Sequence, residues 1–223
     1  MRRRLIFADR AEAGRLLAAR LQILELDCPV VFALPRGGVP VAAEVARALA
    51  APLDLAFARK LGAPEQPELA VGAVAGVPDA PEIVLNSTLI AGLGLSEEFI
   101  SQSVSRELAA IERQRACYQA VRPAIEVSGA TAIVIDDGVA TGMTIQAALR
   151  HLRGRKPSRL IAAAPVAASD AATMLQKEVD QVVLISVPRR FRSVGGFYRS
   201  FPQVSDEEVI ALLGAVNAKG AVG

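Results

Sequence analysis

The sequence predicts an α/β fold organised as a doubly wound parallel sheet, and three observations lead there. Short runs dominated by apolar, mostly β-branched residues occur at Pro29 to Leu34, 131–135, Leu160 to Val166 and Gln181 to Val187, as expected of strands buried on both faces. Two of these runs enter glycine-bearing loops that open into stretches with helical apolar spacing. Strands and helices alternate through short connections, the pattern that produces parallel pairing and right-handed crossovers.

In chain order, Asp9 is placed to cap a first helix with apolar positions Leu16, Leu17, Ala19, Leu21, Ile23 and Leu24. The strand from Pro29 to Leu34 leads into Pro35-Arg36-Gly37-Gly38-Val39-Pro40 and a helix from Val41 to Leu49. A third apolar run, Leu53 to Ala58, ends in Arg59-Lys60. Cations there would sit at the C-terminal edge of the sheet, where open α/β folds bind ligands. Residues 61–120 interrupt the rhythm. Pro64, Pro67, Pro78 and Pro81 punctuate the stretches Leu69 to Ala75 and Glu82 to Leu85, which can pair as a hairpin across 76–79. A long helix begins at Ser96, with Glu97 and Glu98 at its positive end. Its stripe of Ile100, Val104, Leu108, Ile111 and Tyr118 serves core or dimer packing, so a homodimer is among the expected partners. The strand at 131–135 ends in Asp136-Asp137, and a helical pattern covers 146–152. A strand, a helix from Asp170 to Glu178 and a last strand follow.

A chain of 223 residues with 52 % hydrophobic content can bury a substantial core as one domain, 1–223. Its 25 basic and 23 acidic residues leave a net charge of +2, so no global field recommends nucleic acid or a membrane as partner. The start, Met1-Arg2-Arg3-Arg4, lacks the apolar segment of a secretory signal, and no run approaches the roughly 18 apolar residues of a membrane span. These readings predict a cytoplasmic protein. Cys28 and Cys117 lie far apart and His151 is the single histidine, a set that cannot assemble a zinc site and predicts reduced cysteines and a structural histidine.

The chemistry concentrates at 131–144. A helix N-terminus offers free backbone N–H groups and partial positive charge, so it binds phosphate without a cationic side chain. Gly138 and Gly142 let the chain wrap closely round an anion, and Thr141 and Thr144 add hydroxyl donors. Asp136 and Asp137 repel phosphate and suit instead the hydroxyls of the same ligand, or Mg²⁺-bound water.

The run Val134-Ile135-Asp136-Asp137-Gly138-Val139-Ala140-Thr141-Gly142-Met143-Thr144 resembles the phosphoribosyl-pyrophosphate (PRPP) motif of the type I phosphoribosyltransferases. That resemblance implies a Rossmann-like core at about 28–188, a flap insertion at about 61–120 and a small hood from the chain ends, including 189–223. It implies that Asp136 and Asp137 hold the ribose hydroxyls and that Gly138 to Thr144 bind the 5′-phosphate. It assigns Arg36, Gly37 and Gly38 to a pyrophosphate loop, with a non-proline cis peptide near Arg36 and Gly37. Lys60 would reach the same pyrophosphate. Arg36, Lys60, Asp136 and Asp137 are then the expected catalytic groups, and Mg²⁺, held by substrate and water near the acids, the expected cofactor.

The segment from Arg189 to Phe201 gathers Phe191, Phe197, Tyr198, Phe201, Arg189, Arg190, Arg192 and Arg199 around Gly195-Gly196. Rings and guanidinium planes stack on heterocycles, which makes Arg189, Phe197 and Tyr198 the base-side candidates of the hood. The expected function is transfer of ribose 5-phosphate from PRPP to a nitrogen acceptor, a purine or pyrimidine base, with release of pyrophosphate. A non-catalytic PRPP- or nucleotide-binding regulator on the same fold is the alternative, since a ligand site does not guarantee turnover.

Overall fold

The computed structural model describes residues 6–119 and 125–218. Five parallel strands form the central sheet: β1 (Pro29–Ala33), β2 (Leu53–Leu55), β6 (Thr131–Ile135), β7 (Arg159–Val166) and β8 (Gln181–Ser186), in the order β2-β1-β6-β7-β8. Alternate residues of each strand feed two apolar layers. Val31, Ala33, Ile133 and Ile135 belong to one apolar layer shared with α1 (Arg10–Leu21), α2 (Gly38–Leu49), α4 (Glu97–Gln119) and α7 (Asp206–Asn217). Phe32, Ala132 and Val134 pack under α5 (Met143–Gly154) and α6 (Ser169–Glu178). This two-sided burial is why those strands read as continuous apolar runs.

Asp9 caps α1 as its position suggests, its Oδ1 accepting the Glu12 amide at 2.8 Å. Leu17 and Leu21 are fully buried, whereas Ile23, beyond the helix end, is 81 % exposed. The stripe on α4 is core: Val104, Leu108, Ile111 and Tyr118 all join the same apolar layer, where α4 lies against the strands at 58–62 and 70–77.

The run at Leu53 to Ala58 is not one strand. Edge strand β2 stops at Leu55, and Ala58–Gly62 forms β3 in a second, antiparallel sheet with β4 (Ala70–Val77) and β5 (Ala80–Leu85). The break falls at Ala56-Phe57, where the Phe57 ring is buried and stacks on Tyr118 with centroids 6.1 Å apart. The hairpin expected across 76–79 is β4–β5, turning at Pro78-Asp79. Its inner strand reads Ala-Val-Gly-Ala-Val-Ala-Gly-Val, and small residues let it lie close on α5, with Ala73 and Ala75 packed against Ala147.

Helix α7 and the short α3 (Ser87–Gly92) were not evident in the apolar pattern. Ser205 caps α7 through the Glu208 amide, and Asp206, Glu207 and Glu208 fill its first turn. Its last residue closes the sheet edge: Asn217 Oδ1 accepts the Leu53 amide, and its Nδ2 donates to the Leu53 carbonyl, both at 3.0 Å. Asn217→Ala strips both bonds from a half-buried strand edge. The expected loss is about 1–3 kcal/mol, read as a lower urea midpoint with unchanged slope.

The segment at Phe7 meets the aromatic segment at 197–198. Phe7 pairs with Tyr198 in a parallel bridge, and Phe7, Phe197 and Tyr198 are buried together with Val166.

Candidate active site

Strand β1 lies between β2 and β6, so the winding of the chain reverses between β1 and β6. Open α/β sheets bind ligands in the crevice outside the strand C-termini at such a reversal. Both glycine loops emerge there. Beyond the strand ends the ladder continues for one bond, from the Leu34 amide to the Ile135 carbonyl at 2.9 Å. The Pro35–Arg36 peptide is cis. A Cβ on Gly37 would lie 2.3 Å from Asp137 Oδ2, and one on Gly38 would lie 2.7 Å from the Ile135 carbonyl oxygen. Gly37 has φ −60°, which any residue can adopt, so it is required for room rather than for torsion. The two loops are therefore in direct contact.

Asp136 is half-buried, and its Oδ1 accepts the Asp137 amide at 2.8 Å. Burial and the neighbouring Asp137 charge push its carboxyl well above the usual carboxylate range. Asp137 is 8 % exposed, and its Oδ2 accepts from Arg10 Nε at 2.8 Å. Burial raises its pKa as well, while the Arg10 charge and hydrogen bond oppose the rise. The Asp137 carbonyl accepts the Tyr198 hydroxyl at 2.5 Å, and burial raises the Tyr198 pKa.

In the loop that follows, Val139 is buried and tied to β7 by its amide, which donates to the Val166 carbonyl at 2.8 Å. Gly138 makes room for Val194. Ala140 and Thr141 are exposed, and Met143 and Thr144 are half-buried. Gly142 caps α5 with φ +82° and no side chain to occupy the first-turn amides, which leaves them for an anion. A Cβ there would sit 2.4 Å from Met174 Cε. Gly142→Ala combines a left-handed backbone with that overlap, and the expected loss is about 1–3 kcal/mol in urea unfolding.

The cations are already paired. Arg59 and Lys60 lie within β3 rather than at the edge of the parallel sheet, because the chain left that sheet at Ala56. Arg59 Nε meets Glu107 Oε2 and Lys60 Nζ meets Glu68 Oε2, each at 2.7 Å. Burial raises the Glu107 pKa, but hydrogen bonds from Arg59 and Arg106 outweigh it and the net shift is downward. Arg36 Nη1 lies 3.7 Å from Asp206 Oδ1, and Asp206 also accepts the Tyr118 hydroxyl, whose pKa burial and Asp206 push up to about 12.

Two cavities meet at Ala58 and Arg59. One, of about 410 Å³, is lined by Pro35, Arg36, Arg113, Gln114, Tyr118 and Asp206. The other, of about 750 Å³, is lined by Lys60, Pro64, Phe99, Arg106, Glu107 and Thr144. The residues of α4 and α7 in these walls were not visible in the sequence as site residues. Only the Ser205-Asp206-Glu207-Glu208 cap gave a local signal, and that signal was for a helix.

The base-side candidates fare differently. Arg189 is exposed, but Phe197 is 1 % and Tyr198 7 % exposed, and neither lines either cavity. Their rings pack on Phe191, Phe7 and Phe201, with centroids 4.9–5.5 Å apart, so their faces are unavailable to a planar ligand. Among the described residues no three His, Cys, Asp or Glu side chains converge as a metal cage. Asp136 offers a hard oxygen donor of the kind that Mg²⁺ or its bound water takes, whereas Asp137 Oδ2 is already paired with Arg10.

A family model described as the phosphoribosyl transferase domain matches residues 9–198. The chain is 40 % identical over 208 residues to "Putative phosphoribosyl transferase Rv0571c" of Mycobacterium tuberculosis strain H37Rv, and equally to a protein of strain CDC 1551. The alignment covers 93 % of this chain and 46 % of those proteins, so the chain spans about half their length. The crystal structure of TT1426 from Thermus thermophilus is similar at TM-score 0.78 and 39 % identity, covering 95 % of this chain and 99 % of that one. AQ2163 from Aquifex aeolicus shares the fold at TM-score 0.50 and 14 % identity, over 93 % of this chain and 86 % of that one. With the motif of the β6 loop and the sheet that carries it, these matches place the chain in the type I phosphoribosyltransferase family.

Proposed function

We propose that this chain transfers the 5-phosphoribosyl group of PRPP to a nitrogen acceptor, a purine or pyrimidine base, and releases pyrophosphate. The observation that carries the proposal is the contact between the two glycine loops at the reversal of the sheet, with Gly38 against Ile135 and Asp136. An activated sugar has an anion at each end, and only adjacent anion loops can grip both. The first-turn amides of α5 and Thr144 suit the 5′-phosphate. Arg36, the Gly37 amide and Lys60 suit the pyrophosphate end, the Gly38 amide being spent on the Leu34 carbonyl at 3.0 Å.

As the bond from the anomeric carbon to pyrophosphate breaks, its electrons leave on the pyrophosphate oxygen and positive charge develops on the ribose. A carboxylate at Asp136 would offset that charge, and fixing both ends would align the anomeric carbon with the incoming nitrogen. Mg²⁺ carried in with PRPP would neutralise charge on the leaving group. The larger cavity touches this site through Thr144 and Lys60, and its volume of about 750 Å³ is that of a small-molecule pocket.

The test incubates the protein with PRPP, Mg²⁺ and a panel of bases and follows pyrophosphate release. Release dependent on one base supports the proposal and names the acceptor. Tight PRPP binding with no release on any acceptor rejects catalysis and leaves a ligand-binding regulator.

A further inference from the structure

We infer that the C-terminal end of α5 carries a second anion site, built by Arg115, His151 and Arg155, that takes a small phosphate-bearing molecule. The site is separate from the proposed PRPP cleft and does not depend on it. A cavity of about 280 Å³ is lined by Asp54, Phe57, Arg115, His151, Leu152 and Arg155. It lies where the C-terminal half of α5 and the helix α4 meet the segment that carries the chain from β2 to β3. None of its residues lines the two cavities that meet at Arg59.

Both guanidiniums are half-buried and are held by rings and main chain rather than by acids. Arg115 Nη2 donates to the Gly76 carbonyl at 3.2 Å, and its guanidinium lies 5.5 Å from the Phe57 centroid. Arg155 Nη2 donates to the Ile125 carbonyl, and its guanidinium lies 5.8 Å from the Phe32 centroid. A guanidinium carries more donors than the one each has spent. Among the described residues no carboxylate lies within ion-pair distance of either, and none of the other residues of the chain is acidic. Asp54, the acid of the cavity wall, is spent on amides: Oδ1 accepts from Leu55 at 2.8 Å and Oδ2 from Ile125 at 2.9 Å. Glu126, which feels the Arg155 charge, is exposed and accepts the Val127 and Ser128 amides through Oε1.

His151 is half-buried and makes no hydrogen bond within the described residues. Its ring lies against the β4–β5 hairpin, where a Cβ on Gly76 would sit 2.9 Å from Nδ1. Burial lowers its pKa, Arg115 and Arg155 lower it further, and no carboxylate opposes them. The imidazole therefore sits in a positive field that the protein does not neutralise. A phosphate would supply the counter-charge and take charge-assisted bonds from both forks. Phe57 and Leu152 offer an apolar wall to the rest of the ligand, and the volume, at the small end for ligand pockets, suits a few carbons rather than a nucleotide.

His151 is the single histidine, so its ring resonances in the untagged protein report this site alone. The experiment follows them by nuclear magnetic resonance across pH, first in chloride and then with inorganic phosphate at equal ionic strength. Phosphate should give a saturable shift, half complete at about 1 mM or below, and should move the His151 titration midpoint upward, because an anion favours the imidazolium. Ribose 5-phosphate should act at the same or lower concentration. In Arg115→Gln and Arg155→Gln the midpoint should rise without ligand, and half-saturation should need about tenfold more phosphate. Arg115→Lys and Arg155→Lys keep the charge but not the fork and should retain a saturable response. Gly142→Ala, which alters the phosphate loop at the other end of the same helix, should respond as the wild type does.

No saturable shift in the wild type, or an undiminished one in the folded glutamine variants, would overturn the inference. Loss of the response in folded Gly142→Ala would overturn it too, by placing the anion at the phosphate loop. Pyrophosphate release with the base panel bears on the proposed function alone.

Discussion

Gly38→Ala is expected to abolish productive PRPP binding, with affinity falling by about a hundredfold, or about 2.7 kcal/mol. The added methyl would lie 2.7 Å from the Ile135 carbonyl oxygen and 3.0 Å from Asp136 Cα. Both are backbone atoms of the facing loop, so no side chain can swing aside. The loops must separate, and with them the two anion sites. The same carbonyl accepts the Leu34 amide, so separation also strains the last rung between β1 and β6. The chain should still fold, because the strands below remain paired from Pro29↔Thr131 to Ala33↔Ile135. Calorimetry with PRPP beside a far-ultraviolet dichroism spectrum checks both halves. Wild-type affinity would show that the loops do not grip one ligand together.

Asp136→Asn is expected to weaken PRPP binding about tenfold or more while making the empty protein more stable at neutral pH. In the folded chain the carboxyl pKa is raised by burial and by Asp137, above its value in the unfolded chain. Ionising it therefore removes stability as pH rises through the folded pKa, and below the unfolded value, near 4, the penalty is absent. An amide never pays it, and its oxygen can still accept the Asp137 amide as Asp136 Oδ1 does. The variant should unfold about 2–4 °C above wild type at pH 8 for each kcal/mol relieved, with the gap closing as pH falls toward 4. A gap that widens on acidification would reverse the sign and place Asp136 among the stabilising carboxylates. Function retained at the expense of stability is common where charges must be kept dry for a ligand.

The parallel sheet was legible because each strand is apolar on both faces and the loops carry glycines where chains approach closely. Gly37 and Gly38 signalled a tight loop, although the sequence could not say that Asp136 and Asp137 are what they approach. The run from Leu53 to Ala58 misled because hydrophobicity cannot show where a chain changes sheets, and Phe57 is buried whichever sheet follows. The aromatic segment misled for a related reason: Phe197 and Tyr198 have the composition of a stacking platform, but their partner is Phe7, nearly two hundred residues away. Arg10 carried no local mark at all. One arginine beside a helix cap looks like any solvated charge until Asp137 is seen across from it. Long-range pairs of single residues lack periodicity, and periodicity is what sequence reading detects.

The recognised family region ends at residue 198, before α7 begins. That helix supplies Asp206 to Arg36 and Asn217 to Leu53, so a protein cut back to the matched boundaries would keep every motif residue yet expose an open strand edge and an untethered guanidinium. Homology limits drawn for this fold are therefore a poor guide to where the molecule can be shortened.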